Sequence, residues 1–154
     1  MRIGGIYMRE AEPADLPGIF YVRTSVRENL LTRTELDARG ITDESVAASL
    51  KLDAKGWVAD EEGRIVAFSI ADQASRSIFA LFVLPSHEGR GLGKRLLGLA
   101  LQWLWDNGAE RVWLDTGKGT RAASFYERQG WICVGPAPND SLRFERRRPQ
   151  LLRF

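Results

Sequence analysis

The chain holds one cysteine and one histidine in 154 residues. A lone thiol excludes a disulfide framework within the chain, and no metal is expected. Cys133 lies in Trp131-Ile132-Cys133-Val134, which reads as a strand interior, so it is expected to be buried filler and not a nucleophile. Long hydrophobic runs are also missing. The apolar stretches fall far short of a membrane span, and the N-terminus lacks a basic start followed by a hydrophobic block, so a soluble cytoplasmic protein is expected. An excess of one charge is missing too: 22 Lys and Arg stand against 20 Asp and Glu, a net charge of +2. Nucleic-acid binders concentrate a stronger basic excess on one element, so no nucleic-acid partner is expected. What remains is 44% hydrophobic content with no repeat or low-complexity tract, enough for one domain with a full core.

Within that balance the positive charge is clustered. Arg90, Lys94 and Arg95 form one group, Lys118, Arg121 and Arg128 a second, and Arg146, Arg147 and Arg148 a third near the end. The third is most simply a solvated tail. The first two flank glycine-containing turns, where they would suit a polyphosphate or serve only as solvated helix starts.

The densest signal is Glu88-Gly89-Arg90-Gly91-Leu92-Gly93-Lys94-Arg95, which follows the apolar run Ile78–Val83 and opens an amphipathic segment. Strand, glycine turn and helix start together make an anion site, because glycines let the backbone approach a ligand and free helix-start N–H groups face it. Purely structural glycines are the alternative. A nucleotide P-loop is excluded, since Glu88 stands where its first glycine belongs and Arg95 follows Lys94 where Ser or Thr is required. A dinucleotide fingerprint begins at Gly89-Arg90-Gly91, but its third glycine falls on Lys94. Asp115 could imitate its ribose-binding acid, yet too little chain follows for a second nucleotide-binding half.

Along the chain, Ile6–Arg9 reads as an opening strand, and Pro13 fits the first turn of a helix burying Leu16, Ile19 and Phe20. Thr42 reads as the N-cap of a second helix carrying Val46 and Leu50. Gly56–Ala59 and Ile65–Ile70, separated by Asp60-Glu61-Glu62-Gly63, form a hairpin. The strand Ile78–Val83 leads into a helix with Leu92, Leu96, Leu97, Ala100, Leu101 and Leu104 at helical spacing, stopped at Asn107-Gly108. Arg111–Asp115 is the next strand, and strand-helix-strand of this length implies a parallel pair with a right-handed crossover. Thr120 caps a short helix ended by Gly130, and Trp131–Val134 and Leu142–Glu145 are the last strands, joined by a Gly135–Asp140 linker. The fold class is α/β, of the α+β mixed-sheet kind: an antiparallel first half, one parallel step in the middle, and flanking helices.

These residues resemble the GCN5-related N-acetyltransferase (GNAT) family. Its main signature, an apolar-x-Val-x-Pro strand end followed by Q/R-x-x-G-x-G/A, is similar to Leu81-Phe82-Val83-Leu84-Pro85 and then Glu88-Gly89-Arg90-Gly91-Leu92-Gly93. A second signature, roughly N-x-x-A-x-x-x-Y-x-x-x-G-F, is similar to Gly119-Thr120-Arg121-Ala122-Ala123-Ser124-Phe125-Tyr126-Glu127-Arg128-Gln129-Gly130-Trp131. Glu88 replaces the usual Gln or Arg, which places a carboxylate beside a pyrophosphate site. Gly119 replaces the usual Asn and removes a side-chain hydrogen bond. The resemblance runs from Ile6 to about Arg147, so residues 1–154 are expected to be one N-acetyltransferase domain with a core of about 6–147 and a tail at 148–154.

The resemblance implies acetyl-CoA as co-substrate and direct transfer of its acetyl group to a primary amine. A non-catalytic acyl-CoA-binding regulator of the same fold is the alternative. Cofactor contacts are implied for the Leu81-Phe82-Val83 backbone, for Glu88 through Lys94, and for Gly119, Ala122 and Tyr126. Tyr126 occupies the family's general-acid position, protonating the leaving thiolate, although packing of the short helix is the plainer reading. The base is open between Asp115, at a strand's carboxyl end, and Glu28, in the region that shapes the family's acceptor pocket. His87 sits in the glycine loop and is expected to be exposed, not catalytic. Arg23 and Arg27 continue the stripe of Ile19 and Phe20, which suits an anionic acceptor, a salt bridge to Glu28 or Asp15, or snorkelling at a helix end. With Glu28 they are the candidate acceptor-binding residues. The expected partner is a small-molecule or peptide amine, with a homodimer compatible with the chain and no membrane involved.

Overall fold

The computed structural model of the protein describes residues 2–150; the last part of the expected tail, 151–154, lies outside the described residues. Strands β1 (Arg2–Ile3) and β2 (Ile6–Glu10) lead through a 3-10 turn (Pro13–Asp15) into helices α1 (Leu16–Arg23), α2 (Arg33–Ala38) and α3 (Asp43–Lys51). A meander of β3 (Ala54–Glu61), β4 (Arg64–Asp72) and β5 (Ser77–Val83) follows, then α4 (Leu92–Asp106), β6 (Arg111–Gly117), α5 (Arg121–Arg128), β7 (Ile132–Ala137) and β8 (Ser141–Arg147). All strands join one sheet in the order β1-β2-β3-β4-β5-β6-β8-β7. Among the described residues only β5 and β6 run parallel, as required of two strands joined by a crossover helix.

The threonines set three helix starts. Thr42 and Thr120 accept hydrogen bonds from Ser45 N–H (3.0 Å) and Ala123 N–H (3.2 Å), as expected of N-caps. Thr32 does the same for Glu35 N–H, with the Glu35 carboxylate returning to Thr32 N–H. That capping box starts α2, which the sequence reading missed because its helix buries only Leu36 and so shows almost no apolar period.

Strand alternation assigns the two faces of the sheet. Ser69 donates from Oγ to the Leu96 carbonyl of α4 at 3.1 Å. The preceding Phe68 points the other way, onto the ring of Phe82 at 5.8 Å. Helix α4 therefore covers one face, burying Leu92, Leu96, Leu97, Ala100 and Leu104, and α1 covers the other. Helix α1 sits close: a Cβ on Gly18 would fall 2.7 Å from Ile65 Cγ1.

Two expectations fail on the last hairpin. Cys133 is exposed, because β7 is the outer strand of the sheet and has a neighbour on one side only. The linker expected at Gly135–Asp140 is shorter, since β7 continues through Ala137. Pro136 is tolerated there because an edge strand leaves half of its N–H groups outside the ladder.

Candidate active site

The site begins with a failure of strand pairing. On its β4 side, β5 is paired along its length, but the register shifts between Ile70 and Ala71 so that Phe79 is skipped, a β-bulge. On its β6 side a single registered pair remains, Ser77 opposite Trp113. Beyond it the two parallel strands diverge, and among the described residues the backbone groups of Leu81-Phe82-Val83 that face β6 have no strand partner. Between the strands lies a groove of about 1090 Å³, lined by β5, β6, α1, the α1–α2 loop and the starts of α4 and α5.

At one end of the groove is the glycine loop. Gly89 and Gly91 have φ of 77° and 79°, which places both in the left-handed region that favours glycine. Gly91 is the N-cap of α4 and no side chain caps the helix. The first N–H groups of α4 are thus left for a ligand, with the helix dipole behind them. A Cβ added at Gly89 or Gly91 would meet nothing within 4 Å. This is a backbone cradle open to the groove, and Lys94 lines it. It fits a pyrophosphate.

The loop is anchored by His87, whose expected exposure is wrong. His87 is buried at 6%, with Nε2 2.9 Å from Glu61 Oε1 and Nδ1 2.7 Å from Ser86 Oγ. It ties the cradle to the β3–β4 hairpin. The imidazole turned inward because Glu61, distant in sequence, offers a carboxylate at the hairpin end. Glu88 does not point at the cradle unpartnered: its carboxylate is paired with the guanidinium of Arg121 on α5. Arg90, between the two glycines, is exposed.

Arg121 also connects the cradle to the opposite wall. Its backbone N–H donates to both oxygens of Glu28 at 3.2 Å, so Glu28 acts as an anionic cap on α5. The next residue, Asn29, has φ of 57° and packs over Gly117 at the end of β6, where a Cβ would lie 2.1 Å from Asn29 Oδ1. The α1–α2 loop thus bridges the splayed strands.

Arg23 is half-buried on that wall. Its guanidinium stacks over the Phe82 ring at 4.2 Å, and Nη1 donates to the Asn29 carbonyl at 2.9 Å. Among the described residues neither expected salt bridge forms: Asp15 is held by Arg9 at 2.8 Å, and Glu28 caps α5. Burial, with repulsion from Arg39, lowers the Arg23 pKa to about 10. Arg27 lines the groove and is exposed.

Asp115 is held by a bidentate pair with Arg143, at 2.8 and 3.0 Å. Arg143 in turn stacks over Trp113 at 4.0 Å. Tyr126 is buried at 5%, edge-on to Phe125 (5.3 Å) and Trp131 (5.7 Å) and tilted against Phe144 (6.2 Å). Its ring therefore packs, but the residue also lines the groove, and its hydroxyl makes no hydrogen bond among the described residues. Desolvation raises its pKa above the usual phenol range, so it carries its proton throughout the neutral range. Ala122 lines the groove beside it, and Gly119, with φ of 65°, forms the turn before α5.

An open parallel pair with a phosphate cradle at the following helix defines an acyl-CoA-binding architecture, and comparison with known proteins agrees. Residues 25–131 match the model of the acetyltransferase (GNAT) family, and the chain belongs to that family. It is 30% identical over 73 residues to a [ribosomal protein bS18]-alanine N-acetyltransferase of Haemophilus influenzae, covering 46% of this chain and 50% of that protein. It is 37% identical over 79 residues to a mycothiol acetyltransferase of Beutenbergia cavernae, covering 49% of this chain and 27% of that one. The matches thus span half or less of the length of these relatives. Among solved structures, the PaiA N-acetyltransferase of Thermoplasma acidophilum in complex with coenzyme A superposes with a TM-score of 0.77 at 15% identity, over 93% of this chain and 99% of that one. The ribosomal-protein-S18-alanine N-acetyltransferase of Escherichia coli does so with a TM-score of 0.70 at 17% identity, over 97% and 99%. Acetyl-CoA is the co-substrate that goes with this family.

Proposed function

We propose that the protein transfers an acetyl group from acetyl-CoA directly to the primary amine of a small molecule or peptide. The observation that carries this reading is the open β5 edge ending in an uncapped, glycine-lined helix start, which matches a thioester ligand with a pyrophosphate at its far end. Bound acetyl-CoA supplies an activated acetyl thioester. The N–H groups of α4 after Gly91, with Lys94, hold the pyrophosphate. The free edge of Leu81-Phe82-Val83 pairs with the amides of the pantetheine arm as an added strand would. A backbone N–H of that edge stabilises the charge that develops on the acetyl oxygen, and such fixed donors need no reorganisation.

Two proton movements remain. The acceptor reaches the site as an ammonium and must lose a proton before its nitrogen can bond to the acetyl carbon. Glu28 takes it through water: both its oxygens engage one N–H, but a carboxylate accepts about four hydrogen bonds. Asp115, held on both oxygens by Arg143, has less capacity left. As the carbon–sulfur bond breaks, Tyr126 hands its proton to the departing sulfur, and the amine's proton ultimately restores it. Burial weakens the phenol as an acid, so transfer accompanies bond breaking and does not precede it.

Tyr126→Phe tests this mechanism, because it keeps the ring packed between Trp131 and Phe144. Turnover should fall at least about tenfold, general acids being worth about 10²–10⁴-fold, with CoA affinity and melting temperature near those of the parent. An unchanged chemical rate in single-turnover measurement would end the general-acid role. CoA binding with no thiol release from acetyl-CoA across an amine panel would favour the non-catalytic acyl-CoA-binding regulator instead.

A further inference from the structure

The groove's acidic side chains are all engaged, but three of its arginines are not. Glu88 is paired with Arg121, Glu28 accepts from the Arg121 N–H, Asp115 is bound by Arg143, and Asp140 lies 3.3 Å from Lys118. Arg23, Arg27 and Arg39 line the same groove, and among the described residues none of them has a carboxylate partner. Arg33, at the start of the helix that Arg39 ends, shows the ordinary solution: it stacks over Phe20 and pairs with Asp43.

The phosphates held at the α4 cradle do not account for these cations. Val83 faces that cradle, since a Cβ on Gly93 would lie 3.8 Å from Val83 Cγ2. Phe82, its neighbour on the strand, points to the opposite face and carries Arg23. The Arg23 guanidinium is fixed by the Phe82 ring and the Asn29 carbonyl, and that single hydrogen bond leaves most of its N–H donors without a partner among the described residues at the groove wall. Holding it half-buried near a second arginine is unfavourable unless something anionic joins them.

Building on the acetyltransferase reading, we infer that Arg23, with Arg39 beside it, grips an anionic oxyacid group, carboxylate or phosphate, carried a few bonds from the acceptor's amine. The planar fork of a guanidinium matches either group through paired N–H donors. The substrate is then an acidic amine, not a polyamine or a cationic peptide end. Phe82 links the two half-sites: its backbone lies on the edge that receives the thioester arm, and its ring supports the arginine that receives the acceptor's anion.

The test is thiol release from acetyl-CoA with four matched amines: β-alanine, O-phosphoethanolamine, β-alaninamide and 1,3-diaminopropane. At least one anionic member should exceed both non-anionic ones in kcat/KM by about tenfold or more, a usual scale for a charge-assisted contact. Which one leads distinguishes carboxylate from phosphate. Arg23→Gln should erase that advantage mainly by raising KM, as expected for loss of ground-state binding, and Arg39→Gln should reduce it, while CoA affinity by calorimetry stays within about twofold. Equal use of β-alanine, O-phosphoethanolamine and β-alaninamide, or a uniform loss across all four in Arg23→Gln, overturns the proposal. If none of the four releases thiol, calorimetry of the two anionic amines with the CoA-loaded protein decides, and no binding overturns it. Failure to bind CoA at all would instead overturn the acetyltransferase reading.

Discussion

A single methyl group at Gly91 separates the demands of the fold from those of the ligand. Gly91 has φ of 79° and ψ of 8° at the N-cap of α4, and an L-residue there costs about 1–2 kcal/mol. The added Cβ touches nothing within 4 Å, so no clash adds to that cost. For a chain of this size Gly91→Ala should lower Tm by about 2–8 °C and leave the protein folded at 25 °C. That same methyl stands where a pyrophosphate must approach the backbone. CoA affinity measured by calorimetry should therefore fall at least about tenfold, or 1.4 kcal/mol. Gly91→Asn separates the two effects further, because Asn tolerates the left-handed region: its Tm should stay closer to the parent while CoA affinity still falls. Gly98 supplies the control, lying within α4 where an added Cβ would meet nothing within 4 Å. Gly98→Ala should raise stability by up to about 1 kcal/mol without altering CoA binding. A folded Gly91→Ala protein with parental CoA affinity would refute the cradle.

Glu88→Gln breaks an exposed ion pair worth about 0–1 kcal/mol and frees Arg121 for phosphate, so CoA affinity should hold or improve by calorimetry; a large loss would give the carboxylate a positive role. Glu28→Gln keeps an acceptor for the Arg121 N–H but cannot take a proton, so it should lower turnover at least about tenfold, whereas Asp115→Asn should not; the reverse pattern would exchange the two residues' roles. Asp15 is buried and its pKa is held down mainly by the hydrogen bonds from Arg9, so its stabilising contribution is complete above the unfolded value of about 3.9 and is lost as pH falls toward the depressed folded value. Asp15→Asn should accordingly cost about 2 kcal/mol at pH 7 in urea titration and much less at the acid end; a cost that does not shrink there would show that packing, not charge, is what Asp15 supplies.

How much of this was legible in the letters follows from the range over which each feature is decided. The α4 stripe, the caps at Thr42 and Thr120 and the glycine loop are settled within a few residues, and they stand where the sequence placed them. Helix α2 was missed despite its Thr32–Glu35 capping box because Leu36 is its only buried residue. Cys133 was misplaced because the same four letters suit a central or an edge strand, and only the sheet order makes β7 the outermost one. His87 was misplaced because Glu61, its partner, lies 26 residues away in sequence.

The site itself divides along the same line. Backbone devices announce themselves locally: glycines mark the cradle, and a parallel crossover marks the strand pair that must open. The strand that opens also skips Phe79 in its ladder with β4, and nothing in Ile78-Phe79-Ala80 distinguishes a bulge from a regular strand, since a bulge answers to how both neighbouring strands twist. Charge is less legible still. Glu88 beside the cradle reads as an obstacle until Arg121, from a different helix, neutralises it. Arg23 reads as a cation awaiting Asp15 or Glu28 until those carboxylates are found engaged elsewhere. A sequence lists its charges without pairing them, and only the fold decides which of them stand unpaired in this groove.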